Sequence, residues 1–97
     1  MQKYKILAEG QNYHIKIEKN IQKFGFFTTR YIESINLSDA KTRAINLLNN
    51  ELQEISLNDK ADPPIIRIDE CTEIESFDDC KVPGSGFTWY KDEDSKT

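Results

Sequence analysis

Tyr13, Ile15 and Ile17 alternate with His14, Lys16 and Glu18, the period of two that a half-buried strand imposes on its side chains. Tyr4, Ile6 and Ala8 offer a matching apolar row over residues 3–8. Between the rows stand Glu9-Gly10-Gln11-Asn12. Glycine and asparagine take positive φ at little cost, so the pattern predicts a hairpin with strands over 3–8 and 12–18. Residues 19–25 read as a polar turn anchored by Ile21 and Phe24. A third strand follows over 26–35, rich in β-branched and aromatic residues. One of its faces carries Phe26, Thr28, Arg30 and Ile32, the other Phe27, Thr29, Tyr31, Glu33 and Ile35. Neither face is wholly polar, so each has something to cover.

The periodicity then changes. Ser38 is a natural N-cap and Asp39 suits a first helical turn. Ala40, Ala44, Leu47, Leu48, Leu52 and Ile55 recur at helical spacing, which predicts a helix over 39–55 with one apolar stripe for a sheet. Two prolines, Pro63 and Pro64, fix a loop, and Ile65-Ile66-Arg67-Ile68 opens a fourth strand running to Ile74. Past an acidic turn, the glycines of Gly84-Ser85-Gly86 redirect the chain into Phe87-Thr88-Trp89-Tyr90. Each of these aromatics gains roughly 1.5–3 kcal/mol by burial, so they are expected to fold back as a short strand or clasp. The expected fold is α+β: an antiparallel four-stranded sheet in the order β-β-β-α-β, with one helix on one face and an aromatic C-terminal clasp. Residues 1–90 read as a single domain and 91–97 as a disordered polar tail.

At 97 residues a chain buries roughly 60–65 % of the surface it exposes when unfolded. That suffices for one sheet–helix core and leaves little for a deep cleft besides. Aromatics at 10 % set the chain apart from disordered sequences of similar charge. It has no apolar run of about 18 residues for a membrane span. Glu9 and Gly10 break the N-terminal apolar stretch before it reaches the length of a secretory signal, so the expected location is the cytosol. The net charge of −4 argues against nucleic acid, whose binders carry a basic footprint. The distribution says more than the total. Residues 1–35 hold six basic and three acidic side chains, and residues 36–97 hold seven and fourteen. Such a split suits pairing with a second copy or a charged partner, although the two surfaces also neutralise one another within one molecule.

Candidate chemistry is sparse. His14 is the only histidine, and no nucleophile or carboxylate stands at a spacing that would orient it for catalysis. Cys71 and Cys80 are too far apart for a CxxC pair, and with one histidine they do not complete a zinc set. In the cytosol they are expected as free thiols. Asp69, Glu70, Glu73, Glu75, Asp78 and Asp79 lack the spacing and central glycine of a calcium loop, and read as a solvated face before they read as a docking patch. No catalytic residue, metal or cofactor is expected. The third strand is the best binding candidate. Phe27 and Tyr31 are placed as aromatics on a nucleic-acid-binding sheet would be, but the glycine-aromatic signature is incomplete and a second helix is missing.

Gly25-Phe26-Phe27-Thr28-Thr29-Arg30-Tyr31-Ile32-Glu33 and the final Gly86-Phe87-Thr88-Trp89-Tyr90 resemble a family of small bacterial proteins of no assigned activity that carries a GFYTTRFVEA … GFTWY pattern. The resemblance covers most of the chain. It implies a bacterial cytosolic protein in which the Thr-Thr-Arg strand and the aromatic tail form one structural unit, and it brings no catalytic residue. The function expected is a non-catalytic interaction domain, a homodimer or a binder of a protein partner, that uses the open sheet face or an edge strand. The alternative is a small-molecule or nucleic-acid-binding module built on the 26–35 strand. Binding residues for either are Phe27, Thr29, Arg30, Tyr31 and His14, with Phe87, Trp89 and Tyr90 as the clasp.

Overall fold

The first apolar row falls on even positions, Tyr4, Ile6 and Ala8, and the second on odd ones, Tyr13 and Ile15. A change of phase means that the chain either turns back or gains one residue. In the computed structural model, which describes residues 1–91, it gains one. Both rows lie in a single strand, β1 (Gln2–Ile17), paired antiparallel to β2 (Asn20–Ser34). The register passes from Gly10↔Phe26 to Tyr13↔Phe24, so two residues of β1 oppose Gly25 alone. Glu9-Gly10-Gln11-Asn12 is thus a β-bulge and not the expected hairpin turn, and Asn12 takes up the slack at φ 63°. The chain reverses instead at Glu18-Lys19, with Glu18 at φ 58°. Residues 20–25, expected as a turn, are paired strand. Gly10 is required for a second reason: a Cβ there would stand 2.0 Å from the Phe26 ring, which packs across the glycine.

The helix α1 (Leu37–Leu52) starts two residues before the expected position. Asn36, not Ser38, is the N-cap, its side-chain oxygen accepting the Asp39 N–H at 2.8 Å. Asp39 also accepts from the Ser34 hydroxyl and from Arg43 Nε at 2.6 Å. Ala40 and Ala44 let the helix lie close over Tyr4 and Ile6, and Leu52 completes a second cluster with Tyr13 and Phe26. Ile55 falls past the helix end and is exposed.

Strand β3 (Ile65–Ile74) pairs with the other edge of β1 and has its own irregularity, Leu7↔Glu70 being followed by Ala8↔Ile68. That bulge again absorbs a change of phase, with Ile66 and Ile68 packed toward the core on even positions and Cys71 on an odd one. The aromatic tail forms β4 (Thr88–Lys91), which pairs with β2 through Gly25↔Tyr90 and Phe26↔Trp89. The sheet order is therefore β3-β1-β2-β4. The expected four-stranded antiparallel sheet with one covering helix stands, but its strands arrive as β-β-α-β-β. Lys91, expected in the tail, belongs to β4, and residues 92–97 lie outside the described ones.

Arg30 holds these pieces together. Only 1 % of its side chain is exposed, and Nη2 meets Glu51 Oε1 of α1 at 2.7 Å. Nη1 donates to the carbonyls of Thr29 at 3.0 Å and Gly86 at 3.2 Å, and to the Thr28 hydroxyl. The guanidinium lies 5.0 Å from the centre of the Phe87 ring, a cation–π contact of the partly desolvated kind. One cation thus ties strand, helix and clasp.

Glu51→Ala leaves that guanidinium buried without its counter-charge and should lower stability by about 3 kcal/mol in chemical denaturation. Arg30→Lys, which keeps the charge but loses the planar fork, should cost about 2 kcal/mol. Losses of a few tenths for both would remove Arg30 from this role. The helix start gives a second expectation. Ser34 and Arg43 hold the Asp39 carboxyl below its ordinary value of 3.8, so on acidification the folded state takes up this proton after the unfolded one. The resulting stabilisation is present above about pH 4 and lost as the pH falls through the lower folded value. Asp39→Asn should therefore flatten the fall in melting temperature between about pH 5 and pH 2; an unchanged slope would contradict the assignment.

Candidate interaction face

The helix covers one face of the sheet, and the register assigns side chains to the other. Lys5, Leu7 and Glu9 of β1 share that face with their β2 partners Tyr31, Thr29 and Phe27, and with Thr72, Glu70 and Arg67 of β3. Beyond the β1 bulge the same face continues as His14 opposite Lys23 and Lys16 opposite Ile21. Phe27 is 49 % exposed. A shallow cleft of about 540 Å³ opens beside it, bounded by Leu7, Thr29 and Asp69 on the sheet and by Ser85 and Thr88 on the segment leading into β4.

The side chains around the cleft are held in place. The Phe27 and Tyr90 rings stand 5.3 Å apart, and the Tyr90 hydroxyl donates to Glu9 Oε2 at 2.8 Å. Glu9 Oε1 accepts from Arg67 Nη2 at 2.7 Å, while Arg67 Nε lies 3.6 Å from Asp69. These two carboxylates push the Arg67 pKa further upward. A charge chain of this kind fixes rotamers without adding much stability, since most of it is open to solvent. Tyr90 has a further task, because its ring lies where a side chain on Gly25 would be.

The other end of the face is covered. The connection from β3 to β4 crosses it, setting Phe77 against Tyr31 at 6.2 Å and beneath the Lys3 ammonium at 5.9 Å. The Tyr31 N–H donates to the carbonyl of Pro83 at 2.8 Å. Glu75, Asp78 and Asp79, all exposed, ride on this connection. The face is therefore raised and acidic where residues 75–83 cross it, and low and open around Phe27.

Of the residues read from the sequence as binding groups, Phe27 and Thr29 meet at the cleft. Tyr31 is on the same face but clamped under Phe77. Arg30 points to the opposite side and is consumed by the core. His14 stands apart in a polar knot: its Nε2 is 3.3 Å from Asp62 and from Asn12 Oδ1. Asn58 closes that knot, accepting from the His14 N–H at 3.0 Å and donating to the carbonyls of Asn12 at 2.7 Å and Asp62 at 2.9 Å. The knot fastens the loop before β3 along the free edge of the β1–β2 hairpin. Phe87, Trp89 and Tyr90 form the clasp in their own chain, with Phe87 and Trp89 against Phe26 at 4.9 and 5.3 Å. Leu7, Glu9 and Arg67 were not singled out as binding groups in the sequence, and Asp69 only as one member of the acidic run. Their alternation with core residues on β1 and β3 is the signal, blurred by the two bulges.

Among the described residues no group of three histidine, cysteine or acidic side chains could hold a metal ion, and both cysteines are free thiols. No described helix is long and apolar enough to cross a membrane. Comparison with protein-family models, curated proteins and solved structures finds no match.

The knot yields a stability test. Asn58→Ala removes the bonds that seat the loop and should cost about 2 kcal/mol, at net values near 0.5–1 kcal/mol per hydrogen bond. Amide exchange at His14 and Leu57 should accelerate with it. Unaltered exchange at these two amides would show that the loop is seated by something else.

Proposed function

We propose that this protein is a non-catalytic interaction domain that associates with a second copy of itself through the open face of its sheet. The observation that carries the reading is Phe27, an aromatic half exposed at the centre of a sheet face that α1 does not cover. Its neighbours have the composition of a binding centre. Leu7 gives apolar floor, Tyr90 and Arg67 are braced by Glu9, and the polar groups lie toward the rim. Rigid aromatics and a pre-seated arginine lose little entropy when a partner arrives.

The face is favoured over the edges. β3 is the longer free edge, but its bulge at Asp69-Glu70 and its charged residues Arg67, Asp69, Glu70 and Glu73 are the features with which natural sheets discourage strand addition. Among the described residues β4 offers four. A second reading, a small-molecule site, draws support from the cleft beside Phe27. Among the described residues no cation lines that cleft: Arg30 is buried on the far side and Arg67 is paired with Glu9.

Light scattering on the eluting protein measures the proposal directly. The parent chain should elute with the mass of a dimer. Phe27→Asp should shift it to a monomer that keeps the circular dichroism spectrum of the fold, because half of the ring is exposed and its ring contact is with Tyr90 at the sheet surface, outside the core. Tyr31 is the wrong probe, since its contact with Phe77 would confound association with folding. A Phe27→Asp protein that elutes as the parent does would count against this face.

A further inference from the structure

From the charge and relief of this face we infer that the two copies pack face to face and antiparallel about a twofold axis at Phe27, the acidic 75–79 turn of each lying on the lysines of its partner's hairpin. The inference rests on the self-association proposed above and adds its geometry and its electrostatic partner groups.

Three observations carry it. The first is relief. The 75–83 connection makes one end of the face high, with Phe77 on Tyr31, while nothing crosses the end that runs through Phe27 toward the hairpin among the described residues. Two such wedges close only when the high end of each rests on the low end of the other. The second is spacing. Tyr31, under the connection, is four residues from Phe27 along β2, and Lys23 is four residues from it in the other direction, all three on one face. At about 3.3 Å per residue each lies roughly 13 Å from Phe27. A twofold axis that lies between the two sheets and runs across the strands at Phe27 therefore sets the connection of one copy over Lys23 of the other, with Lys16 on the next strand beside it.

The third is charge. The turn offers Glu75, Asp78 and Asp79 against Lys81, and residues 13–24 offer Lys16, Lys19 and Lys23 against Glu18. Asp62, beside His14, is a further acid near the hairpin, and beside the turn Lys3 and Lys5 are further cations and Glu33 a further acid. The balance is still acidic at one end and basic at the other. In a parallel arrangement acid would face acid and lysine would face lysine. The antiparallel one joins unlike charges twice and places Phe27 against Phe27 at the centre, so a single patch serves both copies, as a closed twofold interface requires. The uneven charge of the two parts of the sequence thus becomes a recognition device on one surface.

Two charge-reversed chains test this. One carries Asp78→Lys with Asp79→Lys, the other Lys16→Glu with Lys23→Glu. Each alone should self-associate about tenfold or more weakly than the parent at low salt, with the circular dichroism spectrum of a folded chain. Mixed one to one, they should form a heterodimer, since every turn then meets a hairpin of opposite sign. The mass should be that of two chains, and the salt sensitivity should match the parent's. Mixed variants that stay monomeric while folded would overturn the antiparallel arrangement, as would either variant alone dimerising like the parent. Species growing beyond two chains would replace it with an open head-to-tail contact. A parent that is monomeric throughout would remove the self-association reading itself. Loss of association in Phe27→Asp alone, with the charge variants unaffected, would leave that reading standing and remove only the geometry inferred here.

Discussion

The structure turns on one buried cation. Arg30 lies in the sheet layer with its guanidinium almost wholly out of water, a position whose desolvation cost is repaid only by close partners on several sides. Those partners come from three parts of the chain: Thr28 and Thr29 of its own strand, Glu51 near the end of α1, and the Gly86 carbonyl with the adjoining Phe87 ring ahead of β4. Glu51 keeps 30 % of its side chain in water, so the pair stands at the margin of the core rather than deep within it, where pairing is less costly. The consequence reaches the opposite face. With Gly86 and Phe87 fixed, the next residues must pair with β2, which brings Tyr90 over Gly25 and against Phe27. The wall of the open cleft is thus set by a charge that never appears on that side.

Much of this was legible in the sequence. The helix, the β3 boundaries, the return of the aromatic tail and the single-helix sheet all follow from period and composition. The error lay in reading one change of phase. Between Ala8 and Tyr13 the apolar row moves from even to odd positions, and glycine and asparagine fall between, so a turn and a bulge predict the same pattern locally. Only pairing partners decide. Residues 20–25 hold enough apolar and β-compatible side chains to extend β2 opposite the far part of β1, and a bulge keeps both rows on the core side. The change between Ile68 and Cys71 has the same cause.

The candidate face was half legible for a related reason. Phe27 and Thr29 share a face by simple alternation, and that part needed no structure. Arg30 was misjudged because a basic residue in a strand suggests a solvent or ligand partner, whereas its counter-charge is Glu51, 21 residues away. Pairings over such separations leave no mark in a single sequence. His14 was noticed for its chemistry, yet its backbone matters as much, since its N–H and carbonyl hold Asn58 and Leu57.

That hairpin also connects the fold with the proposed association. Among the described residues, β3 accompanies β1 as far as Gln11 and β4 accompanies β2 over residues 24–27, and the strands continue beyond as a two-stranded ribbon. Such ribbons are marginal without a layer to rest on. Here the Asn58 knot braces one edge, and Trp89 packs at the root against Tyr13 and Phe24, each 6.3 Å away. Both contacts lie away from the side on which Lys16, Ile21 and Lys23 stand. A chain that needed the ribbon only for its own core would gain by shortening it. Its length and its lysines are accounted for together if it rests on the acidic turn of a second molecule.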